Sequence, residues 1–586
     1  MASHEMNENE SKHAMNENMP RHTDRTKRSK KKGKAGLKIL IVVAILAIII
    51  GVVYFVFNHV SLKRYEKTNL VINNRNMTES LKNDVIIENG IIYISSKDVG
   101  NFFDSSIFYD NKYDQIITSS YDKLAALPVG KTQIQVNSSN TTIKAPVMKK
   151  ENNFYIPFSA LEDIYNVKVN YQDSMNIVTV DSLDRDYNIA TASKNSNVKY
   201  KPSDFSKTLA KVEKGDSYII ANREDFPVPD GWTRVRTADG VLGYVKTKGM
   251  GPVNTIREAM VEKKKVEGPV SLVWDYYSEY VTAPDRSGTT IKGVNVVSPT
   301  FFTLKRLGKG AVDENVGDAG KKYIAWAKQN GYQIWPSISN NSYIDTTAEI
   351  MRDYKLREKL INQILDYITT YELNGINIDF ENMYAEDKDN FSQFLAELRP
   401  RLNEIGAVLS VDVTAPDGGE TWSMCYNRNT IGKVADYIIF MGYDQYGVSS
   451  TKSGTTAGGD WVETNIKKFL GQEGVEANKL ILGIPFYTRL WIERNGKVSS
   501  RDVVLMKNVD KVLPDNAKKK WDENLKQNYV EYKQNGATYK MWVEDEKSIE
   551  AKLDLISQYK LAGAAFWEKD MEPNSIWNLV SSKLGI

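Results

Sequence analysis

The stretch LNGINIDFEN (residues 373–382) decides how this chain is read. Strand alternation puts Asn377, Asp379 and Glu381 on one face and Ile376, Ile378 and Phe380 on the other. An apolar face with three polar groups opposite suits a strand whose outer side packs on helices and whose inner side faces a polar cavity. Two carboxylates confined there cost several kcal/mol unless they share protons or hydrogen bonds. Their closeness should raise at least one carboxyl pKa, the condition a general acid needs.

The surrounding residues repeat the theme. From about residue 266 onward, apolar runs alternate with amphipathic helical stretches. The runs are PVSLVWDYYS, GVNVVSPTF, YQIWPSIS, GINIDFE, AVLSVDVTA, DYIIFMGYD, KLILGIPFY and AGAAFWE. Between them lie AGKKYIAWAKQNG, the long AEIMRDYKLREKLINQILDYITTYEL, DNFSQFLAELRPRLNEIG and WVETNIKKFLGQ. Apolar strands separated by helices imply a parallel sheet, and this number of units predicts a (β/α)8 TIM barrel over 266–586. The long gap before the last run predicts a small α+β insertion over about 488–545. Such barrels carry their chemistry at the C-terminal strand ends. Those ends offer Asp275, Tyr276, Tyr277, Ser337, Ser339, Asp379, Glu381, Asp412, Tyr443, Asp444, Gln445, Tyr487, Arg489, Trp567 and Glu568. Carboxylates interleaved with aromatics suit a carbohydrate: the rings face sugar C–H groups and an acid reaches the glycosidic oxygen.

Composition narrows the chemistry. The chain has 586 residues, enough for about three or four domains. Its net charge of +3 argues against general nucleic-acid binding. Much of the positive charge crowds between Arg25 and Lys38, just before an unbroken apolar run, ILIVVAILAIIIGVVYFVF, at residues 39–57. That run just spans a hydrocarbon core of about 30 Å, and is longer than the apolar region of a cleaved signal. The basic flank keeps the N-terminus cytoplasmic and puts the rest outside. The expectation is a basic disordered tail at 1–36 and one transmembrane helix at 37–58 in contact with membrane lipid. Cys425 is the single cysteine, and three of the four histidines (His4, His13, His22) precede residue 25. Disulfide frameworks, cysteine metal sites and histidine triads are thereby disfavoured, and no metal or cofactor is called for.

Two further modules are legible. In residues 70–185, NGIIYISSKDVGNFFDSSIFYDNKYDQII resembles NNFYIPFSALEDIYNVKVNYQDSMNIVTV, with Tyr93 aligning with Tyr155 and Tyr109 with Tyr171. Each copy reads strand, short helix, strand, strand. This α+β repeat module resembles the copper amine oxidase N-terminal-like domain; having neither His nor Cys it is expected to bind no copper and to act as a spacer or wall-binding module. Residues 197–252, with GWTRVRTADGVLGYV and tight turns at Gly215-Asp216 and Asp239-Gly240, resemble a bacterial Src-homology-3-like domain, a small β-barrel in which Trp232 and Tyr244 pack.

GINIDFE itself resembles the DxxDxDxE signature of glycoside hydrolase family 18, the chitinase-like barrels. FMGYD at 440–444, GIPFYTRLW at 483–491 and GAAFWEKD at 563–570 match the family's sixth, seventh and eighth strands in order. The likeness is to the bacterial cell-wall and spore-cortex N-acetylglucosaminidase branch. It implies that Glu381 protonates the leaving oxygen and Asp379 orients the substrate's N-acetyl group. It also implies that Tyr443 bonds the acetamide, Asp444 contacts sugar or tunes the site, and Trp567 stacks under the sugar. Asn377, Tyr276, Tyr487 and Arg489 are expected at the substrate. Two departures stand out: the first two signature aspartates are Asn374 and Asn377. A neutral Asn377 should leave Asp379 easier to ionise. The implied substrate is peptidoglycan or another N-acetylglucosamine polysaccharide, cut at β-1,4 bonds outside the membrane or in the forespore or spore envelope. A chitinase-type hydrolase and a non-catalytic glycan-binding barrel in a wall or spore complex are the alternatives; no protein partner is named.

Overall fold

The computed structural model describes residues 33–223, 225–256, 266–278 and 280–586. Most of the expected tail over 1–36 lies outside these residues. The chain divides into two units, residues 1–63 with 190–253, and residues 64–189 with 254–586.

In the first unit a helix runs Gly33–Asn58. Its segment Lys38–Asn58 has mean hydropathy 3.3 and none of it is buried. The same unit holds most of a seven-stranded sheet in the order Thr208–Val212, Ser196–Lys199, Leu242–Lys246, Trp232–Thr237, Ser217–Ile220, Tyr187–Ala192, Met250–Ile256. Ala190, Ala192, Val198, Val212, Tyr218, Val235 and Val245 form its core. The sheet is wider than the expected 197–252, because Ala190 and Ala192 alternate inward on a strand that the sequence shows only as small residues among polar ones. Trp232 does not join that core; it is half-buried, with the Lys246 ammonium over its ring.

The second unit begins with the repeat. The first copy runs Ile91–Ser95, Ser96–Phe102, Phe108–Asp110, Gln115–Ser119. The second runs Asn153–Pro157, Phe158–Tyr165, Val167–Gln172, Ile177–Ser182. Both keep strand, helix, strand, strand, and their leading strands pair antiparallel, Ile94 opposite Ile156.

The rest of this unit is the barrel. We number its strands β1 (Val270–Asp275), β2 (Val296–Pro299), β3 (Gln333–Ile334 and Ser337–Ser339), β4 (Gly375–Asp379), β5 (Val408–Val413), β6 (Tyr437–Met441), β7 (Leu480–Pro485) and β8 (Gly563–Trp567). Every pairing between them is parallel, and β8 joins β1 to β7. Closure passes through β3, whose first piece pairs with β2 and second with β4. Pro336 sits at the break, where it has no N–H to give to a ladder. Alternation sorts the side chains as the sequence reading expects. Ile376, Ile378 and Phe380 enter the core between strands and helices. Val270, Leu272, Val296, Trp335, Val408, Ile439, Ile481 and Ala565 fill the lumen.

Two local outcomes differ from expectation or refine it. The long helical stretch 348–373 is not one helix: it breaks between Ile344–Met351 and Tyr354–Tyr371. Asp353 causes the break, its side chain accepting from the Lys355 and Leu356 N–H groups as an N-cap. The insertion is a five-stranded antiparallel sheet in the order Lys497–Leu505, Tyr487–Arg494, Ala537–Val543, Gln527–Gln534, Lys520–Asp522.

Candidate active site

A cavity of about 170 Å³ opens at the C-terminal ends of the barrel strands. Asp379, Glu381, Asp412, Tyr443, Asp444 and Tyr487 line it, with Trp274, Trp422, Trp461 and Trp567 supplying ring faces. The two carboxylates of the opening stretch therefore share one hollow with aromatics brought from elsewhere in the barrel. The Trp274 and Trp567 rings meet edge to face at 5.8 Å.

Glu381 is held through its backbone. Its N–H donates to Asn340 Oδ1 at 3.0 Å, and Asn340 Nδ2 donates to its carbonyl at 2.7 Å. Next to it, Tyr426 OH donates to the Phe380 carbonyl at 2.7 Å. Among the described residues no basic side chain pairs with the Glu381 carboxyl. Its pKa is driven well above the ordinary glutamate value, first by burial and then by the Asp379 charge and hydrogen bond beside it. Burial also pushes Asp379 up to about 6, against the hydrogen bond from Glu381. The two titrate as a pair, and the proton stays with Glu381. Tyr443 OH is likewise kept protonated, above all by burial.

Asp444 is fixed from two sides at one oxygen. Tyr487 OH and Arg489 Nη2 both donate to its Oδ1 at 2.7 Å. Arg489 does not line the cavity; it reaches the site through this ion pair and through its guanidinium over the Tyr487 ring at 5.7 Å.

Two further expected contacts fall elsewhere. Tyr276 is 47% exposed beyond the end of β1 and outside the cavity wall. Asn377 is wholly buried beneath the cavity rather than in its lining. Its Oδ1 accepts from Trp274 Nε1 at 2.9 Å, and its Nδ2 donates to Ser410 Oγ at 3.1 Å and Asp412 Oδ1 at 2.8 Å. Its amide is therefore turned to β5, and burial outweighs any easing of Asp379 ionisation. Asn374 lies at the opposite end of β4, its side chain accepting from the Ile334 N–H at 2.9 Å. Asp275, another strand-end carboxylate, is taken up by Arg286 at 2.5 Å and Tyr323 OH at 2.8 Å.

Sequence reading missed Asn340, Trp274, Trp422 and Trp461. Trp274 stands on β1 directly before the Asp275 that was noted, and alternation alone would have placed it inward. Asn340 follows β3 and carried no motif. Trp422 and Trp461 come from a loop and a helix start, where strand periodicity has no bearing.

Residues 273–572 match glycosyl hydrolases family 18, and residues 71–180 match the copper amine oxidase N-terminal domain. The chain is 28% identical over 298 residues to the uncharacterized glycosylase YvbX of Bacillus subtilis, covering 49% of this chain and 84% of that one. It is 24% identical over 261 residues to the cortical fragment-lytic enzyme of the same organism, covering 43% of this chain and 60% of the relative, under two thirds of its length. The crystal structure of the Bacillus cereus spore cortex-lytic enzyme SleL aligns with a TM-score of 0.48 at 20% identity, over 56% of this chain and 77% of that one. With the family match spanning the barrel from β1 to past β8, the chain belongs to glycosyl hydrolases family 18.

Proposed function

We propose that this family 18 glycoside hydrolase is anchored in the membrane by its N-terminal helix, faces outward, and cleaves β-1,4 bonds next to N-acetylglucosamine in peptidoglycan. The observation that carries the chemistry is Glu381 buried beside Asp379 and Tyr443 in one tryptophan-lined cavity, where burial and the Asp379 charge favour its protonated form. Glu381 gives its proton to the glycosidic oxygen as the bond to the anomeric carbon breaks. Asp379 accepts from the acetamide N–H and turns the acetamide carbonyl oxygen toward that carbon. Tyr443 OH donates to the same carbonyl, and Trp567 lies under the ring. The carbonyl oxygen attacks in place of an enzyme nucleophile, so no second carboxylate is needed opposite Glu381. Glu381, now ionised, takes a proton from the water that opens the intermediate, and configuration is retained.

Peptidoglycan as substrate draws support from the cortical fragment-lytic relative. The anchor draws support from the unburied apolar segment Lys38–Asn58 behind a basic run. The modules over 70–185 and 197–252 are read as wall-directed spacers, the second as a Src-homology-3-like barrel. The test uses full-length protein in detergent with purified peptidoglycan and with chitin oligomers, the products read by mass spectrometry. Muropeptides with reducing N-acetylglucosamine ends, lost in Glu381→Gln, are the expected result. Cleavage of chitin alone would reassign the substrate. Equal activity of both proteins would remove Glu381 from its role. Protease shaving of intact cells should digest the barrel; protection would reverse the topology.

A further inference from the structure

The family signature writes an aspartate where this chain has Asn377, so the site lacks one carboxyl on β4. A carboxyl stands instead on the neighbouring strand. The β4–β5 register sets Asn377 beside Ser410 and Ile378 beside Val411, which carries Asp379 alongside Asp412 on the lumen side. Asp412 is 2% exposed and lines the same cavity as Asp379 and Glu381. We propose that Asp412 is a positioning residue for hydrolysis: it holds a shared proton beside Asp379, and Asn377 clamps it in that state from across the strand boundary. The inference rests on the substrate-assisted reading above.

The amide orientation carries the argument. Trp274 Nε1 donates to Asn377 Oδ1, so the Asn377 NH2 must face β5, where it donates to Asp412 Oδ1 and Ser410 Oγ. An oxygen that accepts an amide N–H is not the one that carries the acid proton, so the proton of Asp412 belongs on Oδ2. Asp379 Oδ1 is buried and has no N–H or hydroxyl donor among the described residues. A protonated carboxyl is the kind of group that can serve it. The groups facing Asp412 are Asp379 and Glu381 from β4 and Tyr443 from β6, and Asn377 with Trp274 behind it; none is a cation. Three carboxyls enclosed together without a cation cannot all ionise. The arrangement that satisfies the chemistry has one charge, on Asp379, between two protonated neighbours, Glu381 and Asp412. Burial and the neighbouring Asp379 charge both favour the protonated form of Asp412. An aspartate on β4 in place of Asn377 would meet Asp412 oxygen to oxygen, which explains the amide.

Three variants of the full-length protein in detergent test this: Asp412→Asn, Asn377→Asp, and the two combined. Asp412→Asn should lower kcat/KM about 10- to 100-fold at neutral pH. With the shared proton no longer donated to it, the Asp379 charge beside Glu381 is less well satisfied and holds the Glu381 proton more tightly, so the alkaline limb should move to higher pH. Asn377→Asp, although it restores the signature, should also lose activity. The double variant exchanges amide and carboxyl between the strands, so that the amide on β5 donates to the carboxylate on β4. It should recover activity to within about 10-fold of the wild type. A second readout needs no turnover: the melting temperature between pH 5 and 8. A carboxyl whose pKa is raised on folding loses native stability as pH rises, so the fall in Tm should be shallower in Asp412→Asn. A pH profile and a Tm slope both unchanged in Asp412→Asn would overturn the proposal, as would a double variant no better than either single one. If the wild type hydrolyses no glycan, the substrate-assisted reading fails, and the Tm slopes still decide whether Asp412 carries the proton.

Discussion

At the scale of single residues, the site depends on which carboxyls keep protons. Glu381 is held above its ordinary value partly by the Asp379 charge. Neutralising that charge in Asp379→Asn should therefore shift the alkaline limb of the kcat/KM profile to lower pH, because Glu381 loses the neighbour that kept it protonated. Removing the hydroxyl in Tyr443→Phe should lower kcat about 10²- to 10³-fold with little change in KM, since its bond strengthens as charge develops on the acetamide oxygen. Steady-state kinetics across pH check both. Asp275 illustrates the opposite use of a carboxylate. Arg286 binds it through two nitrogens and also reaches Asp570 at 2.9 Å. Arg286→Met would leave Asp275 buried and without its cation, at a cost of about 3–5 kcal/mol, read as a lower urea midpoint.

At the scale of elements, close approach and capping decide where strands and helices sit. β8 passes so near β1 that a Cβ on Gly563 would lie 1.9 Å from the Val270 carbonyl oxygen. Gly563→Ala cannot keep the β1–β8 ladder, so the barrel should lose about 3 kcal/mol or more, or fail to accumulate folded. Circular dichroism of the purified variant measures this. Gly375 meets β5 in a similar way: a Cβ there would lie 2.6 Å from the Val408 carbonyl oxygen. Its bare backbone brings β4 close enough for Asn377 to reach Asp412. The cap at Asp353 has the same character: one side chain stops one helix and starts the next.

At the scale of the second unit, the repeat module packs against the barrel's flank. Ile117, Leu124 and Ala126 close around Tyr354, at the start of the helix Tyr354–Tyr371. Lys112 pairs with Asp353, Gln135 donates to Glu358 at 2.7 Å, and Arg401 donates to Ser138 at 2.7 Å. Behind this contact Arg357 and Glu397 form a buried two-pronged ion pair at 2.8 Å. The module and the barrel should therefore melt together. Tyr354→Ala removes the central side chain at a cost of about 3–5 kcal/mol and should split the calorimetric transition in two.

The barrel and the internal repeat were legible in the chain because each writes a periodic pattern, the insertion as a gap in that pattern and the apolar helix as an unbroken run. Strand alternation sorted Asp379 and Glu381 from Ile378 and Phe380, and the matching ends of β6, β7 and β8 located Tyr443, Tyr487 and Trp567. The amide of Asn377 was visible as a departure, but its partner was not, because hydrogen bonds between parallel strands leave no local signal. Asn340 and Trp461 were hidden for a different reason: they reach the site from a loop and a helix, outside any repeat. Tyr276 and Arg489 looked alike as strand-end residues, yet one lies outside the cavity and the other acts from behind its wall, on Asp444 and Tyr487. Local periodicity, set by steric preference along the chain, thus determined which residues face the lumen. Which of them share protons, which are neutralised by arginine and which are left to the substrate was decided by the register and closure of the barrel.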